Sequence, residues 1–319
     1  MYNYPMPHTP EEFAGELLCE TLKGKGVVKS PDFEVTTPAL IMPTNPNSCG
    51  VERVHIVSVG AAKEHFSVFG DIPPEAIKYL HVSMRSRWAQ LGLEISGFSD
   101  ENGKYLLTSQ IWKGIQQGLT YELPVGIANF GKNPIYIPRG ARLFRLYTLL
   151  GAWHQNGEKL ANLVRSGAIS IEGKEGEDWK WFHFGGTTDR NVIGVNLRLK
   201  PQRWWIPPRL EGPSVTVSDA GRNFRDEIDS LMEPVPTTDE TVFWVGETTA
   251  KITLPQNIYA KLNVAQIEIN DHGSPKFALQ VLSTLIDGGT DWPLRVEVLS
   301  PTIDPINFVS LSFYRDEAI

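Results

Sequence analysis

Val125-Gly126-Ile127-Ala128-Asn129-Phe130-Gly131-Lys132-Asn133-Pro134-Ile135-Tyr136-Ile137-Pro138-Arg139-Gly140-Ala141-Arg142-Leu143 alternates short apolar runs with turn residues. It reads as a hairpin closed by Asn129 to Asn133, followed by a Pro138-Arg139-Gly140 turn into a further strand. The same texture extends outward along the chain. Gly 28 and Pro 23, spread through 319 residues, leave short apolar segments and few runs long enough for a helix, the pattern of a mainly β protein. That length exceeds what one hydrophobic core usually organises, so two domains are expected. A hydrophobic content of 41%, with Trp 9, Tyr 9 and Phe 14, supplies the apolar surface for two cores and excludes wholesale disorder.

Two short helices are predicted. Thr9-Pro10-Glu11-Glu12 has the form of a capping box with proline at the first helical position; Phe13, Leu17 and Leu18 then share a face, and Gly24 and Gly26 end the helix. A similar unit spans Lys159 to Ile171: Leu160, Leu163 and Val164 form an apolar stripe, Gly167 stops it, and Ala168-Ile169-Ser170-Ile171 alternates as a strand. The chain restarts here. Ile72-Pro73 and Leu254-Pro255 are each followed, seven residues after the proline, by Leu-x-Val, and Asn133-Pro134-Ile135-Tyr136-Ile137 parallels Asp304-Pro305-Ile306-Asn307-Phe308. Segments matched in one order point to an internal duplication that divides near residue 152. Glu172 to Lys180 and Lys200 to Pro213 read as loops or edge segments, with Trp204 and Trp205 covering a core edge.

Charge and composition exclude several function classes. Lys+Arg 30 against Asp+Glu 37 gives a net charge of −7, which argues against a broad basic face for duplex nucleic acid but leaves room for a local cationic pocket. No apolar stretch is long enough to span a membrane, and MYNYPMPHTP has neither the basic nor the apolar region of a secretory signal, so a cytoplasmic protein is expected. Cys19 and Cys49 form no paired ligand motif, and the His 7 fall into none of the zinc-enzyme spacings, so zinc-dependent chemistry is not expected.

Two further segments have the residue types for a reaction. In Ser83-Met84-Arg85-Ser86-Arg87-Trp88-Ala89-Gln90-Leu91-Gly92-Leu93, two guanidinium groups flank a hydroxyl between a strand and a helical turn, an arrangement suited to phosphate. In Leu285 to Val298, the residues Leu294, Val296 and Val298 alternate with Arg295 and Glu297, which places the last two on one side of a strand. Asp287 precedes Gly288-Gly289 on the adjoining turn, so two carboxylates can converge where the backbone admits a ligand closely.

Taken together, these segments resemble the dUTPase / dCTP deaminase superfamily, and in particular its double-domain bacterial dCTP deaminase-like members. Arg85 to Leu93 is similar to the family's phosphate-binding Arg-Ser-Ser-x-Ala-Arg-x-Gly-Leu, with Gln90 in place of the second arginine. Asn129 to Leu143 resembles Asn-x-Gly-x-x-Pro-Ile-x-Ile-x-x-Gly-x-Arg-Ile, and Gly194-Val195-Asn196-Leu197-Arg198-Leu199 resembles the Ser-x-Asp-Leu-Arg-Leu strand. Ile286-Asp287-Gly288-Gly289 through Glu297 matches, without a gap, the Ile-Asp-Pro-Gly segment that leads to the catalytic glutamate. Departures are as informative. Gly126 stands where a first-half catalytic glutamate would be and Gln116 where a dUTPase aspartate would be; a second register brings Gly97 to Glu101, with Asp100 as the alternative catalytic residue, onto the dUTPase segment. In the second half, Ala265-Gln266 replaces Arg-Ser.

The resemblance implies two tandem β-clip domains, dUTPase-like distorted β-barrels at residues 1–152 and 153–319, each with a short N-terminal helix. It implies a composite site in which Arg85, Ser86 and Arg87 hold the phosphates of dCTP or dUTP, Mg²⁺ bridges phosphate oxygens, Glu297 moves protons and Asp287 positions the sugar or the water. Deamination of dCTP to dUTP and ammonia is the leading expectation, and dUTP pyrophosphatase chemistry, with Asp287 as base, the second. Family members build sites between neighbouring subunits, so a homo-oligomer is also expected. The competing expectation is an inactive nucleotide-binding or structural pseudoenzyme of the same fold.

Overall fold

The computed structural model describes residues 27–29, 32–44, 55–60, 80–98, 123–149, 153–155, 157–183, 188–208, 224–236, 243–263, 280–281, 285–299 and 308–315. The first half contains β1 (Val27–Lys29), β2 (Phe33–Val35), β3 (Ala39–Ile41), β4 (His55–Gly60), β5 (Leu80–Met84), α1 (Ser86–Ala89), β6 (Leu93–Phe98), β7 (Leu123–Asn129), β8 (Ile135–Ile137) and β9 (Arg142–Leu149). The second half begins with β10 (Trp153–Gln155), α2 (Gly157–Arg165), β11 (Ser170–Glu172), β12 (Trp179–His183), β13 (Val192–Arg198) and β14 (Trp204–Trp205). It continues through α3 (Phe224–Leu231), β15 (Glu233–Pro234), β16 (Phe243–Thr253), β17 (Ile258–Asn263), β18 (Gln280–Val281), β19 (Leu285–Ile286), β20 (Asp291–Leu299) and β21 (Phe308–Arg315). The protein is mainly β.

Among the described residues every strand pair lies within one half. The first half has a 7-stranded sheet in the order β1-β9-β2-β4-β7-β6, with β5 also on β9, and a separate β3-β8 pair. The second half has two 6-stranded sheets, one along β12-β13-β21-β17-β19 and one along β15-β14-β16-β20-β18. Their inner faces meet in one core, where Val195 and Leu197 of β13, Ile252 of β16, Leu262 of β17, Val296 of β20 and Leu311 and Phe313 of β21 pack together. Each such side chain contributes on the order of 2 kcal/mol through removal from water, which closes the sheets on each other in a barrel-like arrangement.

The segment from Val125 to Leu143 forms the three expected strands, but the first two do not make a hairpin ladder. β8 pairs with β3, with Ala39 opposite Ile137 and Ile41 opposite Ile135, while β7 lies between β4 and β6. The cause is the buried Asn129, whose side-chain amide donates to the carbonyls of Ile41 (3.0 Å) and Asn133 (2.9 Å) while its carbonyl accepts from Gly131 N–H (2.9 Å). The turn is closed by this side chain, which frees β8 to turn toward β3. Gly92 packs on the same turn with φ +94°, and a Cβ there would stand 2.5 Å from Gly131 N.

Other expectations meet mixed outcomes. α2 and β11 form as predicted from Lys159 to Ile171, whereas the helix expected after Thr9 lies outside the described residues. Glu172 to Lys180 is a loop only in its middle, because Trp179 begins β12 and enters the core with its indole N–H donating to Gly173 O (3.3 Å). Trp204 and Trp205 form β14, with Trp204 opposite Val245 and Trp205 buried. Among the described residues, no helix is long and apolar enough to cross a membrane.

The halves are locked by α3. Its Ile228 is fully buried in the core of the first half, where Leu231, Met232 and the Ile206 preceding α3 also pack. A helix of the second half thus completes the hydrophobic interior of the first. Ile228→Ala is expected to lower stability by about 2–4 kcal/mol through the cavity it leaves, read as a lower urea midpoint; an unchanged midpoint would contradict this packing.

Candidate active site

β20 carries Leu294, Val296 and Val298 into the core and turns Arg295 and Glu297 to its other face, as the alternation requires. That face lines a cavity of about 460 Å³ together with Asp287, Gly288, Gly289, Thr290 and Trp292. The first half contributes Ser86 and Gln90, both from α1 and its immediate end. Residues from the two halves therefore share one cavity, and Ser86, Asp287 and Glu297 are all on its wall.

The turn holding Asp287 depends on two glycines. Gly289 has φ +84°, and a Cβ on Gly288 would stand 2.3 Å from Gln256 O. Gly289 N–H donates to Leu254 O (3.0 Å), Leu254 N–H to Thr290 O (2.8 Å), and the Thr290 hydroxyl to Asp287 O (2.7 Å). These bonds hold the turn against the chain leaving β16, just ahead of β20, so Asp287 projects from a fixed base.

Glu297 is 1% exposed, and its Oε2 has no hydrogen-bond partner among the described residues. Burial pushes its carboxyl up to about 8, against the smaller opposing effects of its own backbone N–H and of Arg295. At neutral pH it is mainly a neutral acid. On this face of β20 a sequestered carboxyl therefore lies beside a largely buried guanidinium.

The arginines expected at the site divide. Arg85 is not among the residues lining the cavity; it pairs with Asp32, whose Oδ2 also accepts from Arg145 Nη2 (3.2 Å). Arg87 is buried within the first half. Asp100 lies outside the described residues, as do Gln116, Ala265 and Gln266. The Arg85–Asp32–Arg145 cluster continues to Tyr147, whose hydroxyl accepts from Arg145. Burial and the nearby Asp287 push the Tyr147 phenol up to about 12, against the opposing pull of Arg145 and Arg85. Tyr147 packs on Tyr259, Leu285 and Tyr314 of the second half, so the arginine cluster abuts the Asp287 turn across the junction.

Sequence reasoning passed over Asp32, Arg145, Tyr147 and Asp229. A signal for Asp32 was present: Ser30-Pro31-Asp32-Phe33-Glu34-Val35 has the Ser-x-Asp spacing assigned above only to the strand around Asn196. In the second half, that Asn196 accepts from the Ser310 hydroxyl at 2.5 Å, a neutral pair where the first half has charges.

No protein-family model matches the chain, and comparison with curated proteins finds no match. Among solved structures, the chain is similar to 2'-deoxycytidine 5'-triphosphate deaminase from Agrobacterium tumefaciens, with a TM-score of 0.50 and 14% identity over 95% of this chain and 96% of that one. At that identity the likeness establishes the fold: a dCTP deaminase/dUTPase-like β-clip architecture along nearly the whole length.

The raised pKa of Glu297 has a consequence for stability. Below the ordinary carboxyl value of 4.5 both folded and unfolded chains are protonated here, whereas from 4.5 to about 8 only the folded chain is. Stability accordingly falls as pH rises through that window, by up to about 1.4 kcal/mol per pH unit from this group, and levels off above it. Glu297→Gln removes this slope, so denaturation from pH 5 to 9 should show the variant gaining on wild type as pH rises; parallel curves would refute the assignment.

Proposed function

We propose that the chain is a pyrimidine deoxynucleotide hydrolase, with deamination of dCTP to dUTP and ammonia as its reaction. The observation that carries this reading is the buried, neutral Glu297 carboxyl, with an unpartnered oxygen, on the wall of a cavity that also receives Asp287 and Ser86. Such a group suits a cytosine ring, which must gain a proton at N3 before water can add readily to C4. Because its pKa is raised, the carboxyl still carries a proton at neutral pH and has one to give.

In this mechanism Glu297 gives its proton to N3 and becomes a carboxylate. The carboxylate takes a proton from water as the oxygen bonds to C4, then passes it to the amino nitrogen. The C4–N bond breaks, ammonia leaves, and the C4 hydroxyl returns its proton to Glu297 as the carbonyl forms. Of the two water protons, one ends on ammonia and the other restores Glu297. Asp287 orients the water or the sugar, and Ser86 donates a hydrogen bond to a phosphate oxygen. Arg85 reaches the phosphates after exchanging Asp32 for them, since the carboxylate and a phosphate compete for the same N–H donors. Among the described residues there is no cluster of three metal-ligating side chains. Mg²⁺ would arrive with the triphosphate as part of the substrate and neutralise part of its charge.

The deciding experiment follows ammonia and pyrophosphate release from dCTP and dUTP with Mg²⁺. Ammonia from dCTP is expected, with Glu297→Gln about 10²–10⁴-fold slower and the wild-type kcat/KM falling above pH about 8 as the free acid ionises. Pyrophosphate from dUTP, sensitive to Asp287→Asn instead, would favour the pyrophosphatase reading. Nucleotide binding without either product would make the chain a binding module.

A further inference from the structure

The wall of the cavity is graded in depth along β20. Trp292 is 51% exposed, the Arg295 side chain 18% and Glu297 1%. Arg295 is the cationic side chain among the described residues of that wall. Its head group is held from two directions. Nη1 donates to Gln90 Oε1 of the first half at 3.1 Å, while Nη1 and Nη2 meet Asp229 Oδ1 and Oδ2 at 2.6 and 2.8 Å. Asp229 directly follows Ile228, which is anchored in the first core, so the carboxylate is fixed by helix packing.

These contacts use both N–H groups of Nη1 and one of Nη2. Nε–H and the remaining N–H of Nη2, the side-on edge of the guanidinium, take no partner among the described residues. A planar fork with two parallel donors matches a pair of oxygens on one tetrahedral anion, and fixing it in advance lowers the entropic cost of binding.

We infer that Arg295, aimed by Asp229 and Gln90, is the phosphate-binding cation of this cavity, its free edge taking two non-bridging oxygens of the nucleotide. The assignment rests on the nucleotide reading above and adds to it a residue from the second half. A nucleotide entering base first places the ring at the deep Glu297 and its phosphates nearer the mouth, at the level of Arg295. The same fork could hold the acceptor atoms of a base instead, and the test separates the two sources.

Calorimetric titration of the full chain with tripolyphosphate, deoxycytidine and dCTP provides that test, on wild type, Arg295→Gln and Arg295→Lys. The expected pattern is a ten- to hundredfold weaker binding of tripolyphosphate and dCTP by Arg295→Gln, with deoxycytidine changed less than twofold. Arg295→Lys, which keeps the charge without the fork, should recover only part of the loss. Wild type that binds no tripolyphosphate, variants that bind it as wild type does, or a loss confined to deoxycytidine would each overturn the inference. Phosphate binding through Arg295 with no ammonia released from dCTP would instead set aside the deaminase reading and leave this one standing.

Discussion

The arrangement of the site depends on the insertion of Ile228 into the core of the first half. This one contact makes the hydrophobic interior of the front sheets incomplete without a helix that belongs, by chain order, to the rear. Its neighbour Asp229 then has a fixed place at the junction, and with it Arg295 and Gln90. Apolar burial, which has no directional preference of its own, is here converted into the positioning of a guanidinium to within hydrogen-bond geometry. Two sheet systems joined only by a flexible connection would hold no such alignment.

Two kinds of polar environment lie side by side at that junction. Around Asp32, opposite charges are paired: its carboxylate meets both Arg85 and Arg145. Around Glu297, burial with no hydrogen-bond partner for Oε2 among the described residues keeps the carboxyl neutral. An unsatisfied buried carboxyl opposes stability, and its presence in a cavity that the fold otherwise builds carefully is the pattern of a functional site.

Much of this was legible in the sequence because it is periodic or local. The alternation Leu294, Val296, Val298 against Arg295, Glu297 fixed which face of β20 met the core, and Asp287-Gly288-Gly289 announced a turn that only glycine can make. Ser86 and Glu297 were selected from opposite ends of the chain and line one cavity. What was not legible is long-range. Nothing local in Ile228 or Asp229 says which core or which arginine they will meet, because α3 presents an ordinary amphipathic pattern. Arg85 was read as an open anchor since its partner Asp32 lies 53 residues away. The expected hairpin failed for a related reason: Asn129 bonds across to Ile41, 88 residues distant, and that bond redirects β8.

The neutral Asn196–Ser310 pair carries a last implication. Where the first half sets an aspartate among arginines, the second half has an uncharged hydrogen bond that asks nothing of pH or salt.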